Sequence, residues 1–248
     1  MPPMTDLSEK TTIVVGASRG LGRGIAIALA ETGAPVVAVA RSEAPLAELA
    51  RAANIQPEIA DAGDAAVAGR LLDRYGPHAV VLVAGARPLL RPLQQQSWET
   101  FSANWQTDVR VAFHWLRESL LRPLRPGSRV VILSSGAALA GSPLSGGYAG
   151  AKATQRFMGA YAQDEAARGG LGISFTTLLP QITPLTDLGR PAVQAYASRN
   201  GQSEEEYMRQ IGDPLTPEAA GVAVLELVRA ETVAPAYLLT GAGLRTLS

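Results

Sequence analysis

The chain has 248 residues, enough to bury a substantial core as one large domain or two small ones. Hydrophobic residues make up 47% and charged residues 18%, a balance typical of a globular protein and not of a disordered one. The 22 basic residues equal the 22 acidic ones, so no net positive field favours binding to nucleic acid. The absence of cysteine excludes disulfides and thiol catalysis, and two histidines are too few for a histidine-rich metal site, so we predict no metal.

The N-terminal segment, MPPMTDLSEK at residues 1–10, lacks the basic start and the apolar run of a signal peptide. No stretch of about 20 residues is apolar enough to span a bilayer. We therefore expect a soluble protein located in the cytoplasm, without a membrane partner.

Short apolar runs alternate with segments of helical spacing along the chain. The runs predicted to form strands are residues 12–15, 35–40, 56–60, 79–84, 129–134, 173–179 and 236–240. The segments predicted to form helices are residues 21–32, 43–53, 65–75, 97–121, 148–168 and 217–229. Continuous apolar strands separated by helices predict a parallel sheet that is covered on both faces.

Right-handed crossovers between these strands give a doubly wound α/β sheet of about seven strands, which is a Rossmann-type fold. Because the alternation is regular throughout, we expect residues 1–248 to form a single domain. The longest irregular stretch, residues 181–214, follows the sixth strand at the edge where such sheets bind ligands. We predict a substrate lid at residues 182–212. Its apolar residues that either face the substrate or simply pack are Leu185, Leu188, Tyr196, Tyr207 and Met208.

A glycine-rich turn, GASRGLG at residues 16–22, joins the first predicted strand to the first predicted helix. Glycines let the backbone turn tightly and approach a pyrophosphate, while the helix N-terminus offers free N–H groups and a favourable dipole. An ordinary strand-to-helix turn is the alternative, but the position after the first strand favours a dinucleotide site. The contacts predicted in this turn are Gly16, Ser18, Arg19, Gly20, Leu21 and Gly22.

The end of the second strand bears on the choice of cofactor. An NAD-selective site has a carboxylate here for the ribose 2′-hydroxyl, whereas this chain has Ala40 followed by Arg41. Arg19 and Arg41 could together hold a 2′-phosphate, which favours NADP(H) over NAD(H). The alternative is that both are solvated surface residues, because all but two of the 22 basic residues are arginine.

Asp61 follows the third predicted strand. Its carboxylate could accept a hydrogen bond from an adenine amino group of the cofactor. It could equally be the N-cap of the next helix, which is a common role for aspartate. The sequence leaves both interpretations open.

A serine, a tyrosine and a lysine form the candidate catalytic group. Ser134 and Ser135 end the fifth strand, and Tyr148 and Lys152 are four residues apart, on one face of the next helix. An ammonium near a phenol stabilises the phenolate, which suits proton exchange near neutral pH, and a serine hydroxyl can hold a carbonyl oxygen. A tyrosine packed on a lysine stem is the alternative. The nearby serines and the glycine turn favour catalysis, as does the rarity of lysine, whose only other copy is Lys10.

Together these motifs resemble the short-chain dehydrogenase/reductase family over essentially the whole chain. The matching pieces are VGASRGLG, Asp61, VAG at residues 83–85, SS at 134–135, YAGAK at 148–152 and LLP at 178–180. The resemblance implies that Tyr148 is the acid/base and that Ser135 positions the carbonyl. It also implies that Lys152 lowers the pKa of Tyr148 and holds the nicotinamide ribose. The spacing to Tyr148 favours Ser135 over Ser134. Further cofactor contacts implied by the resemblance are Ala84, Gly85, Pro180 and Thr183.

Some positions depart from the family pattern. The phase of the fourth helix places Asp108, and not Asn104 one turn earlier, where the family has an asparagine. In the family the backbone carbonyl of that asparagine helps bind a water that leads to the lysine. If the Asp108 side chain points inward, its carboxylate would also help keep Lys152 charged. Val83 and Gln181 replace the usual asparagine and glycine of two cofactor-binding motifs.

Two functions follow from these observations. The first is an NADP(H)-dependent carbonyl reductase or alcohol dehydrogenase. Its substrate would be neutral and apolar, because Ala138, Leu139 and Leu144 lie near Ser135, although Arg87 and Arg91 after the fourth strand could bind an acidic group. The second is a dinucleotide-binding regulatory or structural protein without turnover, which the departures motivate. The family also pairs two long helices, here residues 97–121 and 148–168, across a two-fold axis, so we expect a homodimer or homotetramer.

Overall fold

Strands and helices alternate along residues 6–247, the part of the chain that the computed structural model describes. The strands are β1 (Thr12–Val15), β2 (Val36–Ala40), β3 (Ile55–Ile59), β4 (Ala79–Leu82), β5 (Arg129–Leu133), β6 (Ser174–Pro180), β7 (Ala236–Thr240) and β8 (Gly243–Leu247). The α-helices are α1 (Gly20–Ala30), α2 (Glu43–Ala52), α3 (Ala65–Tyr75), α4 (Trp98–Asn104), α5 (Arg110–Leu121), α6 (Ala137–Ala140), α7 (Gly146–Arg168), α8 (Gly189–Arg199), α9 (Glu204–Ile211) and α10 (Pro217–Arg229). Residues 1–5 and Ser248 lie outside the described residues. Residues 1–5 belong to the segment that the sequence predicts not to be a signal peptide.

The strands form one sheet in the order β3-β2-β1-β4-β5-β6-β7-β8. Strands β1 to β7 are parallel to one another, so the prediction of a doubly wound, mainly parallel sheet is confirmed. The eighth strand, β8, was not predicted from the sequence. It pairs antiparallel with β7 at the edge of the sheet, and its sequence, GLRTL, has exposed polar residues in place of a continuous apolar run.

Each face of the sheet has its own hydrophobic core, because successive side chains of a strand point to opposite faces. In β1, Val14 packs into one core, whereas Ile13 and Val15 pack into the other. Helices α1, α2 and α10 cover the first face, and α3, α5 and α7 cover the second. The helix residues buried in the two cores include Ile25, Leu29, Leu46, Leu49, Val224, Val67, Leu71, Trp115 and Ala162.

Two predictions of local structure were wrong. The helix predicted at residues 97–121 is divided into α4, a wider π-helical turn at Trp105–Val109, and α5. Residues 181–214, predicted as irregular, contain α8 and α9. Helix α9 begins with a capping box, in which Ser203 and Glu206 bond to each other's backbone N–H groups, and the Ser-x-x-Glu spacing was a sequence signal for it.

Parallel strands place their carboxyl ends along one edge of the sheet, and this edge carries a cleft of about 900 Å³. The glycine turn after β1 and the serines after β5 both open into it. Within residues 6–247, no helix has the length and apolar character needed to cross a membrane.

Candidate active site

The cleft brings together all the residues that the sequence singled out for catalysis and cofactor binding. Its lining includes Ser135, Tyr148, Lys152, Asp108, Gly16, Ser18, Arg19, Gly20, Leu21, Gly22, Arg41, Asp61, Ala84, Gly85, Pro180 and Thr183. They come from the carboxyl ends of the six strands β1 to β6, from the start of α1, from the π-helical turn and from α7. The fold therefore assembles a single site from widely separated positions.

The glycine turn between β1 and α1 leaves no space for side chains at two of its glycines. A Cβ at Gly16 would lie 2.5 Å from the Ala84 nitrogen, and a Cβ at Gly22 would lie 2.1 Å from the Gly16 carbonyl oxygen. Gly16 and Gly20 also have positive φ values of 93° and 53°, which glycine adopts without strain. The N-cap residue of α1, Arg19, forms no side-chain cap, so the first-turn N–H groups can face an anion.

Both candidate cofactor-selecting arginines line the cleft and are exposed. The Arg19 guanidinium lies 4.0 Å from the Asp187 carboxylate, and both side chains are about 70% solvent-exposed. An exposed pair at this distance contributes little energy. Arg41 forms no salt bridge with any residue in the range 6–247. Both guanidinium groups are therefore accessible to a phosphate.

Asp61 forms a local turn and does not cap a helix. Its Oδ1 accepts a hydrogen bond from the Gly63 N–H at 2.9 Å. Helix α3 begins four residues later and is capped by Asp64, whose side chain accepts from the Ala66 N–H. The interpretation of Asp61 as an N-cap is therefore wrong, whereas a role towards adenine remains a prediction.

The two serines at the end of β5 have different surroundings. The buried Ser134 hydroxyl donates to the Lys152 carbonyl oxygen at 2.7 Å, so it fixes helix α7 to the strand. The Ser135 hydroxyl oxygen accepts from the Ala137 N–H at 3.2 Å. This bond leaves the Ser135 O–H free to donate into the cleft.

Tyr148 and Lys152 are one turn apart on α7. The Lys152 ammonium lies 5.6 Å from the centre of the Tyr148 ring, and the lysine side chain is almost fully buried. It donates to the Leu133 carbonyl oxygen at 3.2 Å and to Gln155 Oε1 at 2.9 Å, and it lies 3.2 Å from Asp108 Oδ2. Three oxygens thus hold a positive charge beside the phenol, where it can stabilise a phenolate.

Asp108 lies in the π-helical turn and is completely buried. Its Oδ1 accepts from the Ala86 N–H at 2.7 Å, and its Oδ2 faces Lys152, without an aligned hydrogen-bond donor among the described residues. A Cβ at Gly85 would lie 2.8 Å from Oδ2, so the carboxylate requires a glycine there. The side chain therefore points inward. The sequence predicts that an inward carboxylate at this position helps keep Lys152 charged.

Sequence reasoning missed two buried polar residues beside this group. Asn104 lies one turn before the position of the family asparagine, and its side chain donates to the Ala86 carbonyl oxygen at 2.9 Å. Gln155 was not considered, although it lies three residues after Lys152, on the same face of a helix. Its Nε2 donates to the Asp108 carbonyl oxygen at 2.9 Å.

The segment after β6 keeps regular backbone pairing despite the departure at Gln181. The Gly136 N–H donates to the Pro180 carbonyl oxygen, and the Gln181 N–H donates to β7, each at 2.8 Å. Thr183 is buried, and its hydroxyl lies 2.9 Å from that of Thr186. The wall of the cleft is thus ordered by strand pairing up to the start of the lid.

Beyond the candidate catalytic residues the lining of the cleft is mixed, with apolar side chains and the charged Arg87. Of the candidates in the lid, Leu188, Tyr196 and Tyr207 line the cleft, whereas Leu185 and Met208 do not. Near Ser135, Leu139 lines the cleft, whereas Ala138 and Leu144 pack elsewhere.

Two tyrosines of the lid connect it to the rest of the site. The Tyr196 hydroxyl contacts the Ser142 hydroxyl and accepts from the Leu144 N–H at 3.2 Å. The rings of Tyr196 and Tyr207 stack, with centres 6.4 Å apart. Burial raises the pKa of Tyr207, and the neighbouring Tyr196 raises it further, so this side chain is a neutral phenol at neutral pH.

Comparison with known proteins supports the assignment of a family. A model of the short chain dehydrogenase family matches residues 10–197. The chain is similar to the hydroxynaphthalene reductase-like protein Arp2 of Metarhizium majus (strain ARSEF 297), with 32% identity over 179 residues, covering 65% of each protein. It is also similar to L-xylulose reductase of Homo sapiens, with 36% identity over 105 residues, covering 42% of this chain and 43% of that protein. It therefore spans less than two thirds of these relatives' own length.

The fold has a counterpart among solved structures. The crystal structure of a short chain dehydrogenase from Mycobacterium avium matches with a TM-score of 0.79, covering 98% of this chain and 86% of that one, at 20% identity. Fold and glycine turn together define a dinucleotide-binding protein of the doubly wound α/β class. The chain belongs to the short-chain dehydrogenase family of oxidoreductases.

The family implies a nicotinamide cofactor, NAD(P)(H), and the residues of the cleft fit one. Side chains are sterically excluded at Gly16 and Gly22, which leaves the backbone open to a pyrophosphate. The uncapped start of α1 provides N–H groups for the same charge. The volume of about 900 Å³ is also within the range of ligand sites.

Proposed function

We propose that this protein is an NADP(H)-dependent carbonyl reductase or alcohol dehydrogenase that interconverts a carbonyl compound and a secondary alcohol. The main support is the arrangement around α7, where the Lys152 ammonium lies 5.6 Å from the centre of the Tyr148 ring. The buried carboxylate of Asp108 faces the same ammonium at 3.2 Å. This arrangement keeps a cation next to the phenol of Tyr148, which lines the same cleft as the glycine turn and Ser135.

The chain's own residues provide the proton and hold the substrate. The free Ser135 O–H donates to the carbonyl oxygen, and the Tyr148 hydroxyl gives its proton to the same oxygen during reduction. The Lys152 ammonium stabilises the phenolate that remains. In the oxidative direction Tyr148 takes the proton back from the alcohol. When bound, the nicotinamide cofactor supplies or accepts the hydride.

The proposed preference for NADP(H) rests on Arg19 and Arg41. Both line the cleft, and the residue directly after β2 is Arg41 where an NAD-selective site has a carboxylate for the ribose hydroxyl. Two accessible guanidinium groups match the charge and the planar geometry of a phosphate.

The proposed substrate is neutral and hydrophobic. The outer cleft presents Leu139 and Leu188 together with the stacked rings of Tyr196 and Tyr207. The two relatives are named hydroxynaphthalene reductase-like protein and L-xylulose reductase, and both names indicate a reductase. We propose a ketone of moderate size with an apolar or ring-bearing body, for which the tyrosine rings provide a flat contact surface.

The decisive experiment compares Tyr148→Phe with the wild type. We expect the rate of NADPH-dependent reduction of a panel of ketones and aldehydes to fall about 10²- to 10⁴-fold, because the proton donor is lost. The dissociation constant of NADPH, measured by fluorescence, should change little. Tyr161→Phe is the matched control on the same helix, since Tyr161 is exposed, and it should keep wild-type activity.

Two outcomes would contradict the proposal. Near-normal turnover by Tyr148→Phe would exclude the assignment of the proton donor. Tight NADPH binding by the wild type without turnover of any ketone, aldehyde or alcohol would support the dinucleotide-binding protein without catalysis.

A further inference from the structure

The side-chain amide of Gln155 bridges two elements of the candidate site. It is 1% solvent-exposed, on the face of α7 that points to the sheet. Its Oε1 accepts from the Lys152 ammonium at 2.9 Å, and its Nε2 donates to the Asp108 carbonyl oxygen at 2.9 Å. The amide therefore connects the lysine directly to the π-helical turn at Trp105–Val109.

This bridge supplies one of the three oxygens that surround the Lys152 ammonium. A lysine ammonium has three protons and no acceptor. One proton goes to the Leu133 carbonyl and one to Gln155, and the remaining side faces the Asp108 carboxylate. Gln155 gives the shortest of these three contacts. Without it, one side of a buried cation would have no acceptor, which is costly in a low-dielectric interior.

An apolar side chain of similar volume would fill the same space but would hold neither group. The Asp108 carbonyl would then lose the Gln155 amide, and Lys152 could move away from the Tyr148 ring. The amide thus does more than fill the core, since each of its two ends contacts a different part of the candidate site.

We propose that Gln155 is a positioning residue that holds the Lys152 ammonium beside Tyr148 by linking it to the backbone of Asp108. The family resemblance implies a water between the backbone carbonyl at this position and the lysine. Here the Gln155 amide contacts both the Asp108 carbonyl and the Lys152 ammonium. This inference rests on the proposed function only as far as the consequence for catalysis is concerned. The contact itself can be tested without cofactor or substrate.

The test uses the fact that the chain has only two lysines, Lys10 and Lys152. Protein labelled with ¹⁵N at the lysine Nζ gives two side-chain ammonium signals, and Lys10→Arg identifies the one from Lys152. We expect Gln155→Met to speed the exchange of the Lys152 ammonium protons with solvent by at least about tenfold, because one hydrogen bond to a charged group is lost. Methionine has nearly the volume of glutamine, so the core should remain filled.

Three further variants make the result specific. Gln163→Met is the matched control, because Gln163 lies on the same helix and its side chain accepts from the Phe175 N–H, away from the site. It should leave the Lys152 exchange rate unchanged. Gln155→Glu keeps an oxygen for the Lys152 ammonium but has no N–H to donate to the Asp108 carbonyl, so exchange should stay faster than in the wild type. Gln155→Leu replaces Gln155→Met if the latter does not fold.

Unchanged exchange in the apolar variants, or exchange as slow in Gln155→Glu as in the wild type, would overturn the proposal. For turnover, we expect Gln155→Met to lower kcat about tenfold with little change in the affinity for NADPH. If the wild type proves inactive, the proposed function fails, while the exchange experiment still decides whether Gln155 holds the lysine.

Discussion

Asp108 sets the electrostatics of the candidate site. Where the family resemblance implies an asparagine, this chain has a carboxylate that is fully buried and 3.2 Å from the Lys152 ammonium. A buried charge is tolerated when it is paired and hydrogen-bonded, and here Ala86 and Lys152 provide both. Gly85 packs closely against the same carboxylate, so a side chain at position 85 would displace it.

The preference for NADP(H) is also a property of single residues. In Arg41→Asp, a carboxylate follows β2, as in NAD-selective sites, and it would repel a 2′-phosphate. We expect the ratio of kcat/KM for NADPH to that for NADH to fall at least about tenfold, because charge-assisted hydrogen bonds are lost. Steady-state kinetics with both cofactors and one ketone measure the ratio.

Arg70→Asp provides the control for this prediction, because Arg70 is exposed on α3 and does not line the cleft. It makes the same change in net charge and should leave the ratio unaltered. An equal ratio in Arg41→Asp and in the wild type would show that Arg41 is only a solvated surface residue.

At the level of elements, the proposed lid contains two short helices, α8 and α9, and the Tyr196 hydroxyl bonds it to the loop before α7. Tyr196 on α8 reaches Ser142 and the Leu144 N–H, in the loop between α6 and α7. Tyr207 on α9 stacks on it, so both helices share this connection. Lid segments come from the less stable parts of a fold, because substrate has to enter and leave.

Removal of the Tyr196 hydroxyl should loosen the lid. In Tyr196→Phe the ring stacking remains, but the bonds to Ser142 and Leu144 are lost. We expect faster amide hydrogen exchange in residues 189–199 and an increase of about fivefold in KM for the carbonyl substrate, the effect of roughly one hydrogen bond of about 1 kcal/mol.

Tyr207→Phe is the matched control for the lid. It keeps the stacked ring on α9 and leaves the contacts of the Tyr196 hydroxyl in place, so exchange in α8 should match the wild type. Equal exchange in Tyr196→Phe would mean that packing alone holds the lid closed.

At the level of the whole molecule, one surface carries an unusual concentration of exposed aromatic residues. It is formed by α4, the π-helical turn, α5 and α7, which pack against one another, and we call it the aromatic face. Its members are Trp98, Trp105, Phe113, Phe157 and Tyr161. A large exposed apolar patch usually marks an interface, and the family resemblance implies that these helices pair across a two-fold axis.

We therefore expect the protein to be a dimer or tetramer that Phe157→Glu dissociates. A charge at the centre of an apolar interface would be desolvated without a partner, which is costly. Light scattering coupled to size exclusion should show the wild type at two or four times the chain mass, and the variant at the mass of one chain.

Val222→Glu tests the specificity of this effect, because Val222 is similarly exposed but lies on α10, at the opposite side of the sheet. This variant should keep the wild-type mass. A wild type that is monomeric at micromolar concentration would contradict the predicted assembly.

The sequence by itself determined most of the elements and the members of the site. Apolar runs such as AVVL at β4 predict buried strands, because a strand inside a parallel sheet is covered on both faces. The glycine turn and the Tyr148–Lys152 spacing are equally local signals, and the cleft contains every residue predicted from them. Edge strand β8 escaped prediction because an exposed strand needs no continuous apolar run.

Only the tertiary structure decided how these parts meet. Gln155 contacts Asp108 from 47 residues away, and Tyr196 reaches Ser142 from 54 residues away. Local spacing determines which face a side chain occupies, but the partner on the facing element depends on how the helices pack on the sheet. For this reason the sequence located Tyr148 and Lys152, and the packing of α7 against the π-helical turn revealed what surrounds the Lys152 ammonium.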